Sequence, residues 1–556
     1  MRARHREASR IVLSLAVVCA FFLVRSGHAP GAPGSARPAA AAERPEGSAI
    51  GEAMRMLADP DPERQAAGAR RVAAMGTNGA PAVPLLIGLL SPGNGPVRRH
   101  SFGAADPARE ARGALAAVGG AAVEALVDAM GKGDRVLRTA IASILGEIGD
   151  ARAAEPLGAI LSSDADPGVR REAAGALGKI RARASTGVLV SALRDPDWTV
   201  RAGAAAAAGR IGDPAAGAPL VGALSDPMSA VRDAAAGALA ELRWRDAMEP
   251  LVGAILDWRM QQAAVAALGA IDRAGSAAGL SRALEEKEAI RAVRAAWALG
   301  QLRDPSGVEP LIAALSRPDP YVKIMAARSL GLIGGSRPVQ PLIRLLSDGD
   351  ADVRTTAAGA LGELKDPAAV DPLLALLRSA DTSVVETSIR SLGRIRDPRA
   401  ASPLEAFLKD RRRILRRTAA WSLGEIGEKR SALPVSALLG DPDLDVRSAA
   451  ALALGGLKDP GSLEPLVAAL SDAAPTVRKD AAAALGGFRD VRAVDPLIRV
   501  LDDPYARVRS AAAESLASIT GENPGTTAAA WRAWWERHSI PGADRPGSSS
   551  NERSNP

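Results

Sequence analysis

The segment VRTTAAGALGEL, residues 353–364, is repeated with small changes through most of the chain. Close variants are VRREAAGALGKI at 169–180, VRSAAALALGGL at 446–457, VRKDAAAALGGF at 477–488 and VRSAAAESLASI at 508–519. The leucine at the ninth position of this segment recurs from Leu268 to Leu516, a distance of 248 residues or eight steps of 31. A fixed period of about 20 to 50 residues is typical of stacked repeat proteins.

Each repeat is predicted to be a pair of antiparallel helices. Asp166 and Pro167 suit the N-cap and the first position of a helix, because proline lacks an N–H group that would be unpaired there. Val169 and Leu177 then belong to an apolar stripe with helical spacing. A shorter apolar run follows, such as residues 310–315. The short connection makes this second helix antiparallel to the first.

Two recurrent residues each allow two interpretations. The glycine near the end of the first helix fits either close helix packing or a chain turn. It recurs as Gly178, Gly300, Gly331, Gly362 and Gly393. The proline of the second run either kinks that helix or marks where regular helix begins. It recurs as Pro156, Pro219, Pro250, Pro310, Pro341, Pro372, Pro403, Pro465 and Pro496.

These patterns predict the fold class. One helical hairpin cannot bury its apolar stripe alone, so the hairpins must stack. Strand signals are weak, and aromatic residues make up only 3% of the chain. We therefore expect an all-α fold, a right-handed superhelical α-solenoid of about 14–15 two-helix repeats with a period of ~31 residues. The period is least regular over residues 257–290.

The repeats resemble a known family. VR opens the first helix, LGxIGDP lies at the turn and PLIxAL lies in the second helix. Helix pairs of this kind are similar to HEAT repeats, in particular the short bacterial subtype named after the phycobilisome lyases. The resemblance covers residues 53–520 and implies a solenoid that serves as a binding surface, although a fold does not by itself fix the chemistry.

Residues 1–29 are predicted to be a signal peptide or an uncleaved signal anchor. Arg2, Arg4, Arg6 and Arg10 precede an apolar run at 11–24, and small residues follow at a suitable cleavage site. Because this run is short for a membrane span, cleavage is the first expectation. The chain is then exported, to the periplasm or another extracytoplasmic space. An inner-membrane tether through residues 11–24 is the alternative.

The rest of the chain is predicted to contain a linker rich in Ala, Pro and Gly (30–52), the solenoid (53–520), a Trp-rich capping helix (521–540) and a disordered tail (541–556). Trp531, Trp534 and Trp535 have the spacing of one helix face, which is suited to covering the last repeat. An exposed aromatic patch that binds a peptide is the alternative interpretation.

The charge does not favour a nucleic-acid partner. The formal net charge is +7, but residues 1–29 hold five arginines against one glutamate. Without this segment the chain is nearly neutral for its length.

A recurrent arginine follows the valine of the repeat, with aspartate at nearly every turn, and we expect a ladder of Arg–Asp contacts between repeats. If exposed, each pair contributes about 0–1 kcal/mol. The arginines are Arg170, Arg201, Arg232, Arg354, Arg447, Arg478 and Arg509.

One segment has a higher density of positive charge than the ladder. It contains Lys409, Arg411, Arg412, Arg413, Arg416 and Arg417. The simpler interpretation is a solvated helix start. The alternative is a docking site for an acidic partner or an anionic lipid head group.

The sequence offers little for catalysis. Deoxyhypusine hydroxylase, a solenoid of the same subtype, holds a di-iron centre with His-Glu pairs, and none of the four histidines here precedes a glutamate. Cys19 is the only cysteine and lies in the signal segment. We therefore expect no cofactor, no metal and no enzyme activity. A bilin lyase activity stays open, because we have no sequence motif for it whose absence could exclude it.

The leading functional hypothesis is an exported, non-catalytic scaffold that binds another protein through an extended concave surface lined by the second helices. That surface is expected to be poor in charge, with Arg344, Glu405, Lys409 and Arg499 as exceptions. A self-assembling envelope spacer is the alternative, and a bilin-lyase-like enzyme is the second alternative. The sequence identifies neither the partner, nor the pathway, nor the oligomeric state.

Overall fold

The computed structural model describes residues 49–91, 106–255 and 260–538. Over these residues the chain consists of helices and turns without a strand, and helices that follow one another pack side by side. The all-α solenoid predicted from the repeat is confirmed. The predicted signal segment 1–29, most of the linker 30–52 and the tail 541–556 lie outside the described residues.

The first helices of the repeats stack against one another along the chain. They are Pro62–Met75, Pro107–Val118, Arg135–Ile148, Pro167–Ile180, Trp198–Ile211, Ser229–Leu242, Ala289–Leu302, Pro320–Ile333, Ala351–Leu364, Thr382–Ile395, Arg413–Ile426, Leu444–Leu457, Pro475–Phe488 and Ala506–Thr520. Helix Gln261–Glu285 combines a first and a second helix, because Asp272 (φ −160°, ψ 99°) breaks it near the middle. This break coincides with the irregular stretch of the sequence.

The second helices are shorter. They are Val83–Gly88, Val123–Lys132, Ala154–Ser163, Thr186–Ala192, Gly217–Ala223, Met248–Ala254, Val308–Ala314, Val339–Leu345, Val370–Leu376, Ala401–Glu405, Ala432–Ser436, Leu463–Ala469 and Val494–Val500. A 3₁₀ turn such as Pro305–Gly307 precedes most of them. Helix Ala49–Leu57 precedes the first repeat, and helix Ala528–His538 follows the last.

Aspartates set the helix starts, as the sequence predicts. The carboxylate of Asp166 accepts hydrogen bonds from the backbone N–H groups of Gly168 and Val169 (2.8 and 3.2 Å). Asp304 caps the 3₁₀ turn that precedes a second helix by accepting a hydrogen bond from the backbone N–H of Ser306 (2.9 Å). Pro310 is the third residue of helix Val308–Ala314, within the first turn. It therefore marks the start of regular helix and does not kink it.

The recurrent glycine serves close packing between first helices. A Cβ atom at Gly178 would lie 2.8 Å from the Cα atom of Ala207 in the next repeat. The helix continues past Gly178 to Ile180, so this glycine is not the turn residue. Some repeats have serine opposite the glycine, and its hydroxyl then bonds the preceding helix: Ser422 donates to the carbonyl of Ile389 (2.9 Å) while buried.

The Arg–Asp ladder is present and links neighbouring repeats. The Arg170 guanidinium donates to both carboxylate oxygens of Asp195 (2.8 Å each) and to the backbone carbonyl of Asp164 (2.8 Å). The other pairs of this kind are Arg138–Asp164, Arg201–Asp226, Lys323–Asp348, Arg416–Asp441, Arg447–Asp472 and Arg478–Asp503.

The ladder pairs are shielded from solvent, so the low value for an exposed pair does not apply to them. The side chains of Arg170 and Asp195 are 12% and 10% exposed. Arg354 and Arg509 depart from the pairing, because they donate to backbone carbonyls, among them those of Asp348 and Asp503 (2.7 and 2.8 Å). A shielded, bidentate pair contributes more to stability than the ~0–1 kcal/mol of an exposed one.

Residues 107–132 are apolar enough by composition to cross a membrane. The structure divides them into helices Pro107–Val118 and Val123–Lys132, because Gly119 adopts a positive φ of 68°. Leu115 and Leu126 from the two helices are buried in the core. This stretch is therefore part of a repeat.

Candidate functional site

Half of the cations in the segment at 409–417 are paired with carboxylates of the chain. Three of its arginines bond to carboxylates of the solenoid, and these pairs are Arg412–Asp410 (2.9 Å), Arg413–Asp443 (3.1 Å) and Arg416–Asp441 (2.7 Å). The hydrogen bond from Arg412 lowers the pKa of the Asp410 carboxyl group below its ordinary value. These charges are therefore used within the chain.

The other three cations of the segment lie in different elements. Lys409 ends the 3₁₀ turn after a second helix, Arg411 lies in the exposed loop, and Arg417 lies on a first helix. Among the described residues, none of these three side chains has a hydrogen-bond or ion-pair partner. Arg417 is the residue of the segment that lines the cavity described next.

That cavity is an open groove of about 440 Å³ on the surface of three consecutive first helices. We refer to it as the arginine groove. Its lining consists of Arg390, Arg394, Arg417, Thr418, Trp421, Asp445, Ser448, Ala449 and Leu452. Helices Thr382–Ile395, Arg413–Ile426 and Leu444–Leu457 supply these residues, and no second helix contributes.

The lining of the arginine groove carries more positive than negative charge, with three arginines and one aspartate. Arg390 and Arg394 each form an ion pair, with Glu386 and Glu363 respectively, but both remain about 40% exposed. Arg417 has no such partner among the described residues. The one aspartate of the lining, Asp445, forms an ion pair with Arg413, with 3.6 Å between the carboxylate oxygen and the guanidinium nitrogen. A ligand in this groove would therefore meet one uncompensated guanidinium and two that keep donors available.

The groove also exposes apolar surface. Trp421 and Leu452 are 36% and 48% exposed, although both are large hydrophobic side chains. They occupy the ninth position of their helices, as does Arg390 in the preceding helix. Five other first helices have glycine or alanine at this position (Gly175, Ala206, Gly237, Gly359 and Ala483), whereas Trp297, Arg328 and Glu514 are large. The groove lies where three consecutive first helices have a large residue at this position.

The second helices present a different surface. In helix Val308–Ala314 the side chains of Glu309 and Ala313 are exposed, whereas Leu311 is buried; Ser316 after the helix is exposed too. This face is more acidic than the sequence interpretation expected. The acidic residues exposed in first turns of second helices include Glu155, Glu249, Glu309, Asp371, Glu464 and Asp495.

The C-terminal tryptophans lie against the last repeat. Trp531 is fully buried, and its ring N–H donates to the carbonyl of Gly525 (2.7 Å). Trp534 and Trp535 are half-buried and pack on the same core. His538 stacks on Trp534 with 4.3 Å between ring centroids. This placement is the one that a capping helix would have.

Over the described ranges, the structure contains no group of three or more His, Cys, Asp or Glu side chains with the geometry of a metal site. His538 is the single histidine within these ranges, and its Nδ1 atom lies 2.7 Å from the carbonyl of Trp534. His5, His28 and His100 lie outside them. The prediction that the chain is not an enzyme stays a prediction.

Comparison with protein families identifies the repeats. The profile described as HEAT repeats matches more than half of the chain, in overlapping segments at 154–240, 288–358, 339–424, 387–435, 405–485, 431–517 and 463–535. The chain belongs to the HEAT-repeat family. The profile described as PBS lyase HEAT-like repeat matches residues 137–163 and 231–257, so the predicted resemblance to the short subtype is also confirmed. A comparison with curated protein sequences found no match.

Solved structures share the solenoid fold of this HEAT-repeat chain. Kap121p bound to Pho4p has a TM-score of 0.53 at 11% identity, over 84% of this chain and 56% of that chain. Kap121p bound to Ste12p gives 0.53 at 12% identity with the same coverage. The phycocyanin lyase complex of CpcE and CpcF from Nostoc sp. PCC7120 gives 0.29 at 26% identity, over 38% of this chain and 86% of that chain. The chain thus spans little more than half the length of Kap121p.

Sequence interpretation missed most of the arginine groove. It named Arg417 but not Arg390, Arg394, Trp421 or Leu452. These residues lie in three repeats, and only the stacking of first helices brings them together. The available signal was the ninth position of the first helix, where three consecutive repeats have the large residues Arg390, Trp421 and Leu452.

Proposed function

We propose that this chain is an exported, non-catalytic HEAT-repeat scaffold that binds another protein along the surface formed by its second helices, the concave side of the solenoid. The observation that carries the proposal is the repeated exposure of one side of these helices. Helix Leu463–Ala469 buries Leu466 and exposes Glu464 and Ala468, as the corresponding helix Val308–Ala314 does with its own residues.

A surface of this kind suits an extended protein segment. Small side chains such as Ala313, Ala375 and Ala468 let the backbone of a partner approach closely over several repeats. The exposed acidic residues of the first turns favour basic side chains on the partner. Solenoids of stacked helix pairs form extended surfaces that are used for binding in this way. The proposal of export rests on the sequence of residues 1–29.

The experiment is affinity capture of the tagged full-length chain from gently solubilised envelope, with cross-linking and mass spectrometry to map contacts. The double variant Ala375→Arg and Ala468→Arg places bulky cations on the second-helix surface. The matched control is Ala483→Arg, an exposed alanine on a first helix. We expect one partner in near-equal amount, cross-linked to second helices, lost in the double variant and retained in the control.

Recovery of the tagged chain alone would contradict the proposal. So would a partner that the double variant retains. If the chain is recovered alone and light scattering shows that it self-associates, the envelope spacer replaces the scaffold as the best account.

A further inference from the structure

The arginine groove is separate from the second-helix surface and differs from it in charge. All of its lining residues belong to first helices, whereas the exposed acidic residues of the second-helix surface, such as Glu309 and Glu464, belong to second helices. Three arginines and one aspartate line the groove. Of these, Arg417 has no carboxylate partner among the described residues. The groove therefore attracts negative charge.

The lining also restricts the kind of anion. Trp421 and Leu452 place exposed apolar surface beside the guanidinium groups. Asp445 and the hydroxyl of Ser448 lie on the same wall. A densely charged polyanion such as nucleic acid would leave the apolar surface uncovered. A carboxylate accompanied by a large apolar side chain satisfies both parts of the lining.

We propose that the arginine groove binds an acidic segment of a partner protein that also carries a large apolar side chain. A carboxylate of the segment accepts hydrogen bonds from Arg417, and Arg390 and Arg394 add attraction from the neighbouring helix. The apolar side chain packs against Trp421 and Leu452. Since the lining spans three first helices, about 10 Å apart, the segment crosses the repeats and contacts all three helices.

The neighbouring repeats supply matched controls. Arg171 occupies the same fifth position in helix Pro167–Ile180 that Arg417 occupies in helix Arg413–Ile426. Trp297 occupies the same ninth position in helix Ala289–Leu302 as Trp421 in its own helix. Neither control residue lines the groove. Substitutions at these sites remove the same side chain from an equivalent helix position.

The test is a phage-display selection of random 12-residue peptides that bind the full-length protein. We expect the selected peptides to contain Asp or Glu together with a large apolar residue. One such peptide, labelled with fluorescein, is then titrated by anisotropy. Arg417→Ser and Trp421→Ala should each raise Kd by about tenfold or more, while Arg171→Ser and Trp297→Ala should stay within about twofold. Higher salt should weaken binding.

Three results would overturn the proposal. The first is that no acidic and apolar peptide is selected, or that the selected peptides bind Arg417→Ser as well as the unmodified protein. The second is sedimentation with phosphatidylserine vesicles, lost in Arg417→Ser, which would make the occupant a membrane surface. The third is self-association in light scattering that Arg417→Ser abolishes, which would make it a second copy of the chain.

Circular dichroism of every variant establishes that a loss of binding is not a loss of folding. The result is independent of the proposed scaffold function, because the groove variants leave the second helices unchanged. Capture of the scaffold partner should persist in Arg417→Ser, and peptide binding should persist in the variant Ala375→Arg and Ala468→Arg.

Discussion

Two runs of three consecutive first helices show what the repeat fixes and what it leaves open. The run over 167–242 and the run over 382–457 share the Arg–Asp ladder and the glycine contact between helices. They differ at the outward ninth position, which is Gly175, Ala206 and Gly237 in the first run and Arg390, Trp421 and Leu452 in the second. The buried and shielded positions thus specify the stack, and the outward positions are available for binding.

Large effects are expected at the glycine contacts, equally in both runs. Gly178→Ala and Gly424→Ala place a Cβ atom 2.8 and 2.7 Å from the Cα atom of the next helix. Each should lower the free energy of unfolding by about 1–3 kcal/mol. Gly175→Ala is the control, because nothing lies within 4 Å of its Cβ. It should raise stability by about 0.5–1 kcal/mol. Urea unfolding measures all three, and loss of stability in Gly175→Ala would contradict the packing account.

The ladder should also contribute equally to both runs. Asp195→Asn and Asp441→Asn remove a shielded acceptor of a bidentate arginine pair, and each should cost about 1–3 kcal/mol. Asp371 pairs with Arg399 while 76% exposed, so Asp371→Asn should cost only about 0–1 kcal/mol. The measurement is again the urea midpoint. Equal losses for the shielded and the exposed pair would show that the ladder has no special role.

Acid should weaken both runs through the same carboxylates. Hydrogen bonds from Arg201 and Arg447 lower the pKa values of Asp226 and Asp472 in the folded chain. A carboxyl group whose pKa is lowered in the folded state stabilises the fold fully at pH values above its unfolded-state pKa of about 3.9. This stabilisation is lost as the pH falls through the folded-state pKa. Urea midpoints should therefore change little from pH 7 to about pH 5 and fall below about pH 4. The difference between the unmodified protein and Asp472→Asn should shrink at pH 3, and a constant difference would contradict this cause.

The smallest effects on stability are expected in the arginine groove. Arg417→Ser and Leu452→Ala alter outward side chains that the repeat does not need, so each should change the free energy of unfolding by no more than about 0.5 kcal/mol. Leu454→Ala, two residues away but fully buried, should cost about 2–5 kcal/mol. Thermal unfolding followed by circular dichroism compares the three. A large loss in Leu452→Ala would mean that the groove is part of the core.

The fold was predictable because its determinants recur at fixed spacing. Asp166 and Asp304 cap helices as expected, and Arg170 reaches Asp195 across the repeat. Some questions needed coordinates. The sequence pattern alone does not separate close packing from a turn at Gly178, because glycine suits both. The acidic side chains before the prolines of second helices, such as Glu309, were overlooked, since their exposure depends on how the helix is stacked.

The candidate site was less predictable, because closeness in sequence and closeness in space differ in a solenoid. Arg412, Arg413 and Arg416 are neighbours in the chain, yet helix geometry directs them to three different aspartates. Conversely, Arg390 and Trp421 are one repeat apart in sequence and line one groove. Comparing the same helix position in every repeat identifies such residues, whereas a search for clusters of charged residues in the sequence does not.

The most direct test converts the second run into the first. Replacing Arg390, Trp421 and Leu452 together by the residues of the regular run (Arg390→Gly, Trp421→Ala and Leu452→Gly) keeps the ladder and the glycine contacts. Anisotropy titration with the selected acidic and apolar peptide then compares this variant with the unmodified full-length protein. We predict that the helical circular dichroism is retained and that Kd rises by about tenfold or more. An unchanged Kd in the folded variant would contradict the claim that binding resides in these outward positions.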